Sequence, residues 1–257
     1  MILNTIISGT DHGLPPVLLA HGLFGSAKNL GGLARRLEGG RKVISVDMRN
    51  HGDSPHDPDH SYAALAGDLA RVIADHGGQA DVVGHSMGGK AAMAMALLHP
   101  ETVRRLVVMD IAPYAYAHSQ QEYVDAMRGL DLSGLGLRSE ADRRLAQAVD
   151  DPGVRAFLLQ SLDLKSDPPR WKLNLPVLSD QMDQVTGWPA DLPKAAFGGP
   201  ALFLAGGESD YAATGGPAEA IRDWFPQAEL RYLPGCGHWI HAEEPKRVAD
   251  AVAGFLD

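Results

Sequence analysis

The chain has 257 residues, 45% of them hydrophobic, which is enough for one α/β core with an insertion and lies in the size range where a single domain still occurs. A formal charge of −9, with no Lys/Arg cluster along any helix or loop, argues against nucleic acid as a partner. No apolar span is long enough to cross a membrane and no signal-type segment is visible, while the single Cys236 excludes an intramolecular disulfide; the expectation is a cytoplasmic protein that does not bind a membrane.

In chain order, residues 1–8 are expected to add an antiparallel edge strand to a sheet. Apolar runs at 17–20, 43–46, 81–83, 106–109 and 202–205 are short and non-alternating, and helical patterns separate them. Strands of that kind belong to a parallel sheet buried on both faces. Helices are predicted over 30–37, 62–76, 87–98, 217–224 (with Pro217 in its first turn) and 245–256. Between Pro113 and Pro200 the rhythm changes: helical stretches at 120–130, 140–149 and 154–162 appear, with no further core strand, and Ser139 with Asp142 three positions on reads as a helix start. The reading is therefore a core of residues 1–112 and 201–257, with 113–200 inserted as a helical cap.

Within this frame one segment carries chemistry. Gly84-His85-Ser86-Met87-Gly88 follows an apolar strand and opens a helix rich in small residues, the strand–turn–helix context of a G-x-S-x-G nucleophile elbow. A serine hydroxyl is a weak nucleophile, so this reading demands a histidine base, an acid to orient it and backbone donors for an oxyanion. The donors are predicted to be the amides of Leu23, in the glycine-rich loop His21-Gly22-Leu23-Phe24-Gly25, and of Met87, directly after the serine. The base is predicted to be His238, on the glycine loop before the terminal helix, because in this architecture the order along the chain is serine, acid, histidine. Two aspartates end apolar runs in that interval, Asp110 and Asp210. The general pattern of the fold favours Asp210.

Several stretches together resemble the α/β-hydrolases, and specifically the bacterial YbfF-type esterases and their mitochondrial eukaryotic relatives. They are His21 to Ser26, Val46 to Pro55, Gly84 to Lys90, Asp110-Ile111-Ala112-Pro113, Trp171-Lys172-Leu173-Asn174 and Gly237 to Ala242. The resemblance implies an α/β fold with a mostly parallel sheet flanked by helices and a helical cap after the sixth strand. It implies carboxylesterase activity on a small-molecule ester, or on an acyl thioester, with no cofactor. It also implies Asp110 as the acid, with Ser209 joining the hydrogen-bond network. This chain departs from the group's usual Gly-Gly-Asn-Ser by reading Gly206-Gly207-Glu208-Ser209-Asp210, which keeps Asp210 as the alternative acid. Leu130, Leu132, Leu135, Leu137, Phe157, Leu158, Leu159, Val177 and Leu178 are expected to shape an apolar pocket over Ser86.

Other readings of the same residues are weaker. Gly84 to Lys90 also spells G-x-x-x-x-G-K, but position 91 is Ala where a phosphate-binding loop needs a hydroxyl for magnesium. His51, Asp53, His56, Asp57, Asp59 and His60 are ligand-type residues set among turn-forming ones, and read as a structural loop rather than a metal site. His85 is expected to be a packed neighbour, His241 a loop or cap contact, Lys90 a structural ion-pair partner, and Trp171 and Trp188 packing residues. Carbon–carbon bond hydrolases and perhydrolases share the serine apparatus, and a low-turnover ligand receptor can be built on the same fold.

Overall fold

The computed structural model describes residues 1–193, 197–211 and 214–257. Strands β1 (Thr5–Ser8), β2 (Val17–Ala20), β3 (Val43–Val46), β4 (Ala80–His85) and β5 (Val103–Met109) alternate with helices α1 (Gly31–Leu37), α2 (Tyr62–Ala74) and α3 (Met87–Leu98). The inserted segment contributes α4 (Gln121–Gly129), α5 (Arg138–Leu145) and α6 (Pro152–Leu158). A two-stranded hairpin follows, β6 (Leu162–Asp163) and β7 (Arg170–Trp171), and then α7 (Leu175–Asp180) and α8 (Met182–Thr186). The chain returns through β8 (Ala201–Gly206), α9 (Gly215–Trp224), β9 (Ala228–Leu233), α10 (Ile240–Glu243) and α11 (Pro245–Leu256).

Seven strands form one sheet in the order β1-β3-β2-β4-β5-β8-β9. Every neighbouring pair is parallel except β1 with β3, so the N-terminal run is the antiparallel edge its sequence indicates. The central strands β2, β3, β4 and β8 are buried along their whole length, as expected where helices cover both faces. On one face α1 and α11 pack through Leu33, Leu37, Val248 and Val252; on the other α2 and α3 pack through Leu65, Leu69, Ala92 and Met95. No helix among the described residues is long and apolar enough to cross a membrane.

The insertion differs from expectation in three respects. It leaves the sheet after the fifth strand of the chain rather than the sixth, since residues 1–112 hold β1 to β5 and no further strand. Ser139 does not begin α5; the helix starts at Arg138 without a side-chain cap, and Asp142 instead accepts from Arg155 Nε at 2.9 Å. Helices α7 and α8 were not foreseen, since neither is long enough to show a helical period.

Parallel register decides where chemistry can occur. Ala20 lies opposite Val46 and Gly84, His85 opposite Met109, and Met109 opposite Leu204. The residues that leave these strands, His21, Ser86 and Asp110, are thereby brought to one carboxyl edge of the sheet, the edge at which open α/β sheets bind ligands. The turn from β4 into α3 is tight. A Cβ on Gly84 would lie 2.3 Å from Gly88 O, and one on Gly88 would lie 2.4 Å from Ala20 O and 2.5 Å from His21 O. Gly88→Ala is therefore expected to act as overpacking, costing about 1–3 kcal/mol and lowering Tm by roughly 2–12 °C for a chain of this size. Gly32→Ala, in α1 with nothing within 4 Å of the added methyl, should leave Tm unchanged or raise it by a few degrees. Thermal unfolding of both variants is the check; equal shifts would show that the approach of α3 to β2 is not limiting.

Candidate active site

Ser86 sits between β4 and α3 at φ 53° and ψ −120°, a backbone state that costs a residue with a side chain about 1–3 kcal/mol. Its N–H donates to Met109 O at 3.0 Å, and its carbonyl accepts the Lys90 N–H at 3.0 Å, so both ends of the turn are tied into the sheet and the helix. The hydroxyl lies 3.1 Å from His238 Nε2. His238 Nδ1–H in turn donates to Asp110 Oδ2 at 2.7 Å, which makes Nε2 the acceptor for the serine proton.

Asp110 is fully buried and leaves β5 with φ 51°. Besides His238 it accepts from Gly206 N–H at 2.7 Å and from Ser209 Oγ at 2.5 Å. Three donors on one carboxylate are what a buried charge requires. Ser209 Oγ also receives the Tyr211 N–H at 3.3 Å, and the Tyr211 ring stacks on the His238 imidazole with centroids 4.0 Å apart and planes at 24°. The other candidate acid, Asp210, is exposed, and no hydrogen bond joins it to His238 among the described residues. The neighbouring side chain, Ser209, is the one that turns inward.

Leu23 and Met87 both line the cavity at Ser86, and neither backbone N–H has an acceptor among the described residues. The Leu23 loop approaches closely because it has glycine where a side chain would collide: a Cβ on Gly22 would lie 2.9 Å from His85 Nδ1 and 3.2 Å from Ser86 Cβ. His85 donates from Nε2 to His238 O at 3.0 Å and so holds the backbone of the loop that carries the imidazole. Burial, reinforced by the nearby rings of His241 and His238, drives the His85 pKa well below its usual value, and the ring stays uncharged.

Beyond this arrangement the cavity lining combines apolar side chains with polar-aromatic ones. Val154, Phe157 and Leu158 of α6 and Val185 of α8 supply the former, and Tyr116, His118, Gln120, Tyr123 and Tyr211 the latter. Of the nine hydrophobic residues expected to shape the pocket, only Phe157 and Leu158 reach it. Leu135, Leu159 and Leu178 are buried in the general core, and Leu137 is exposed. The helical period that suggested those residues does not say which face of an inserted helix meets the core. His241 lines the cavity as well, with Nδ1 buried and unpartnered among the described residues, and its ring meets His85 edge-on at 4.4 Å. The Tyr116–Tyr211 cluster was missed; the available signal was aromatic residues at Tyr114 and Tyr116, directly after Asp110-Ile111-Ala112-Pro113.

The expectation that Lys90 forms an ion pair is overturned. It is 1% exposed, no carboxylate pairs with it among the described residues, and Nζ donates to Thr186 O at 2.8 Å and Gly187 O at 2.6 Å, 4.8 Å above the Tyr116 ring. That direction also removes it from any phosphate cradle at the elbow. The histidines and aspartates of residues 51–60 do not group as metal ligands among the described residues. Trp171 donates from Nε1 to Met127 O at 2.9 Å, within the packing of the insertion, while Trp188 packs edge-on against Trp224 of α9 and so joins the insertion to the core.

The fold agrees with what known proteins show. The family model for the alpha/beta hydrolase fold matches residues 15–245, and the chain belongs to that family. It is 40% identical to the sn-1-specific diacylglycerol lipase ABHD11 of Mus musculus over 96% of this chain and 82% of that protein. It is likewise 40% identical to esterase YbfF of Escherichia coli over 96% of this chain and 95% of that one. A solved marine microorganism esterase superposes with a TM-score of 0.93 at 34% identity, covering 99% of both chains.

Burial pushes Lys90 down to about 7, so between that value and the unfolded lysine range the unfolded chain binds more protons than the native one. Stability contributed at this position should therefore rise with pH across that window. Lys90→Met lacks the titration: the difference in unfolding free energy, wild type minus variant, should climb on the order of 1 kcal/mol per pH unit between pH 7.5 and 10. Denaturant unfolding at several pH values measures it. A flat difference would mean that the two carbonyls and the Tyr116 face keep the ammonium charged throughout.

Proposed function

We propose that the chain is a serine hydrolase that cleaves carboxylic esters through an acyl-enzyme on Ser86, with His238 as general base and Asp110 as the acid that orients it. The observation that carries this reading is the unbroken sequence of contacts from Ser86 Oγ through both nitrogens of His238 to Asp110 Oδ2. Relatives at 40% identity that are named esterase and diacylglycerol lipase support ester hydrolysis over the other reactions open to the same serine apparatus, and a complete proton path favours turnover over a receptor role.

In the first half-reaction His238 Nε2 takes the Ser86 proton as Oγ attacks the ester carbonyl, and the negative charge that forms on the carbonyl oxygen is received by the Leu23 and Met87 amides. Collapse expels the alcohol, which takes the proton from His238 Nε2. Water, deprotonated at the same nitrogen, then attacks the acyl-enzyme; the bond from the acyl carbon to Ser86 Oγ breaks, Oγ takes the proton back from His238 Nε2, and the acid is released. Asp110 keeps the imidazole in the Nδ1–H tautomer and faces the imidazolium when it forms; Ser209 and Gly206 keep the carboxylate in place. Residues 113–200 act as a cap over this chemistry, with residues 1–112 and 201–257 as the catalytic core, and the apolar lining from α6 receives the acyl chain. Acyl thioesters fall within the same mechanism. The single buried Cys236 suits a cytoplasmic setting.

Hydrolysis of p-nitrophenyl esters of graded chain length tests the reading. Ser86→Ala should lower kcat/KM by roughly 10⁴-fold or more, and Asp110→Asn by about 10³- to 10⁴-fold, since a neutral amide no longer selects the productive tautomer. Asp210→Asn should remain within about threefold of wild type. The reverse order for the two aspartates would reassign the acid; turnover surviving in Ser86→Ala would end the serine mechanism.

A further inference from the structure

The loop that presents the Leu23 amide has no regular structure of its own, and its next residue, Phe24, is held at φ 63°. A bulky side chain in that region is strained by about 1–3 kcal/mol, so neighbouring contacts must over-determine the conformation. Two histidines outside the serine–histidine–aspartate path do this. His21, leaving β2, donates from Nδ1–H to Gly22 O at 2.8 Å and accepts the Met48 N–H at Nε2, 2.9 Å away. His51, in the turn after β3, donates from Nδ1–H to Arg49 O at 2.9 Å and accepts the Phe24 N–H at Nε2, 3.2 Å away.

The arrangement is reciprocal: the loop after β2 and the turn after β3 each give the other one imidazole acceptor and one backbone N–H. The rings meet edge-on at 5.3 Å, and both are essentially sealed from solvent, at 1% and 0% exposure. Each ring uses both nitrogens, one as donor and one as acceptor, which only a neutral imidazole can do. Burial lowers the basicity of both, and for His51 the neighbouring rings of His21, His60 and His56 lower it further. His60 stacks behind His51 at 5.8 Å and is itself held by Asn50 Nδ2–H on Nδ1 at 3.1 Å.

We propose that His21 and His51 are positioning residues for the oxyanion hole, a crossed pair of imidazoles that holds the Gly22–Gly25 loop so that the Leu23 N–H faces the oxygen on which charge develops. The proposal rests on the reading of Ser86 as nucleophile and assigns how one of its two oxyanion donors is aimed. A fixed donor matters most when the carbonyl becomes an oxyanion, so a loosened loop penalises the transition state and leaves ground-state binding nearly untouched.

The test compares two replacements at position 51. The Gln side chain carries its Oε1 to about the place of Nε2 and retains an acceptor for the Phe24 amide; the Asn side chain ends near Nδ1 and does not reach. His51→Asn should lower kcat on a p-nitrophenyl ester by about 10- to 100-fold with KM within threefold of wild type, the size expected when a donor is misaimed rather than deleted. His51→Gln should recover at least tenfold of that loss. Thermal unfolding accompanies both. If His51→Asn does not fold, His51→Gln alone still decides, since it must keep KM and bind a trifluoromethyl ketone, whose tetrahedral adduct carries the oxyanion, within about tenfold of wild type. Equal kcat in the two variants, a loss carried wholly in KM, or a folded Gln variant that fails to bind the ketone would overturn the proposal. Labelling of the wild-type serine by a fluorophosphonate is run alongside: its failure would sink the nucleophile reading itself, whereas normal labelling with an unaffected His51→Asn sinks only the crossed pair.

Discussion

Ser86 is placed at a positive φ by a turn so tight that the carbonyl oxygens of Ala20, His21 and Gly88 occupy the space that methyl groups on its neighbours would need. Nearly everything else at the carboxyl edge of the sheet follows from holding that turn. The backbone of Ser86 is bonded to the buried end of β5 on one side and to the first turn of α3 on the other, so the elbow shares the rigidity of both elements. The cost of the strained residue is met by burial around it: of the twelve residues of α3, only Leu98 lies outside the buried class. Helix packing, glycine placement and strand register here serve one purpose, which is to present a hydroxyl at a reproducible point.

Charge is handled with similar economy. One carboxylate, Asp110, lies at 0% exposure in the site, and its oxygens accept from a backbone amide, a hydroxyl and an imidazole. Around it His21, His51, His85 and His241 are all made less basic, chiefly by burial. Histidines in such a setting act as shaped hydrogen-bonding groups instead of cations. Of these rings and His238, His238 is the one bonded to the buried carboxylate, so a proton leaving Ser86 meets a counter-charge there. Tyr211, stacked on the same ring and tied through Ser209 to the same acid, adds a rigid face to that position.

How much of this could be read from the chain depended on how local each signal is. The elbow, the five core strands and helices α3 and α11 are specified by spacing within a dozen residues, and the structure places them within a residue or two of where the pattern puts them, except that β5 begins three residues earlier, at Val103. The meeting of Ser86 with His238 was legible from loop composition and chain order. The choice between Asp110 and Asp210 was not legible from the local pattern, and only the family resemblance put Asp110 first. The choice turns on β5 lying beside β8, with Asp110 N–H bonded to Leu204 O at 2.8 Å, which aims the side chain of Asp110 inward while Asp210 projects to solvent. Both aspartates follow apolar strands, and no local property separates them. The pocket lining was legible in part for the same reason: an inserted helix has a hydrophobic stripe whether it faces the cavity, as at Phe157, or the core, as at Leu178. The paired imidazoles of His21 and His51 were hidden because His21 reads as part of a glycine-rich loop and His51 as one of several ligand-type residues in a turn-forming stretch, and nothing local brings the two together.

The insertion is fastened to the core unevenly, and this shapes the cavity. Its later half is held by directional bonds: Asn174 N–H to Asn50 O at 2.9 Å, Asn174 Nδ2 to Asn50 Oδ1 at 3.0 Å, Tyr62 Oη to Val185 O at 2.7 Å, and Lys90 to Thr186 and Gly187. Hydrogen bonds of this kind set distances and directions, and they fix the wall formed by α8 relative to α3 and the turn after β3. Helix α6 is different. Its polar contacts stay within the insertion, as in Asp151 to Gly153 and Val154 or Arg155 to Asp142, and it meets the cavity through Val154, Phe157 and Leu158. Apolar contact is non-directional and tolerates changes of shape that a hydrogen bond does not. The wall formed by α8 is thus built to one geometry, while the wall formed by α6 is held by contacts that tolerate more than one.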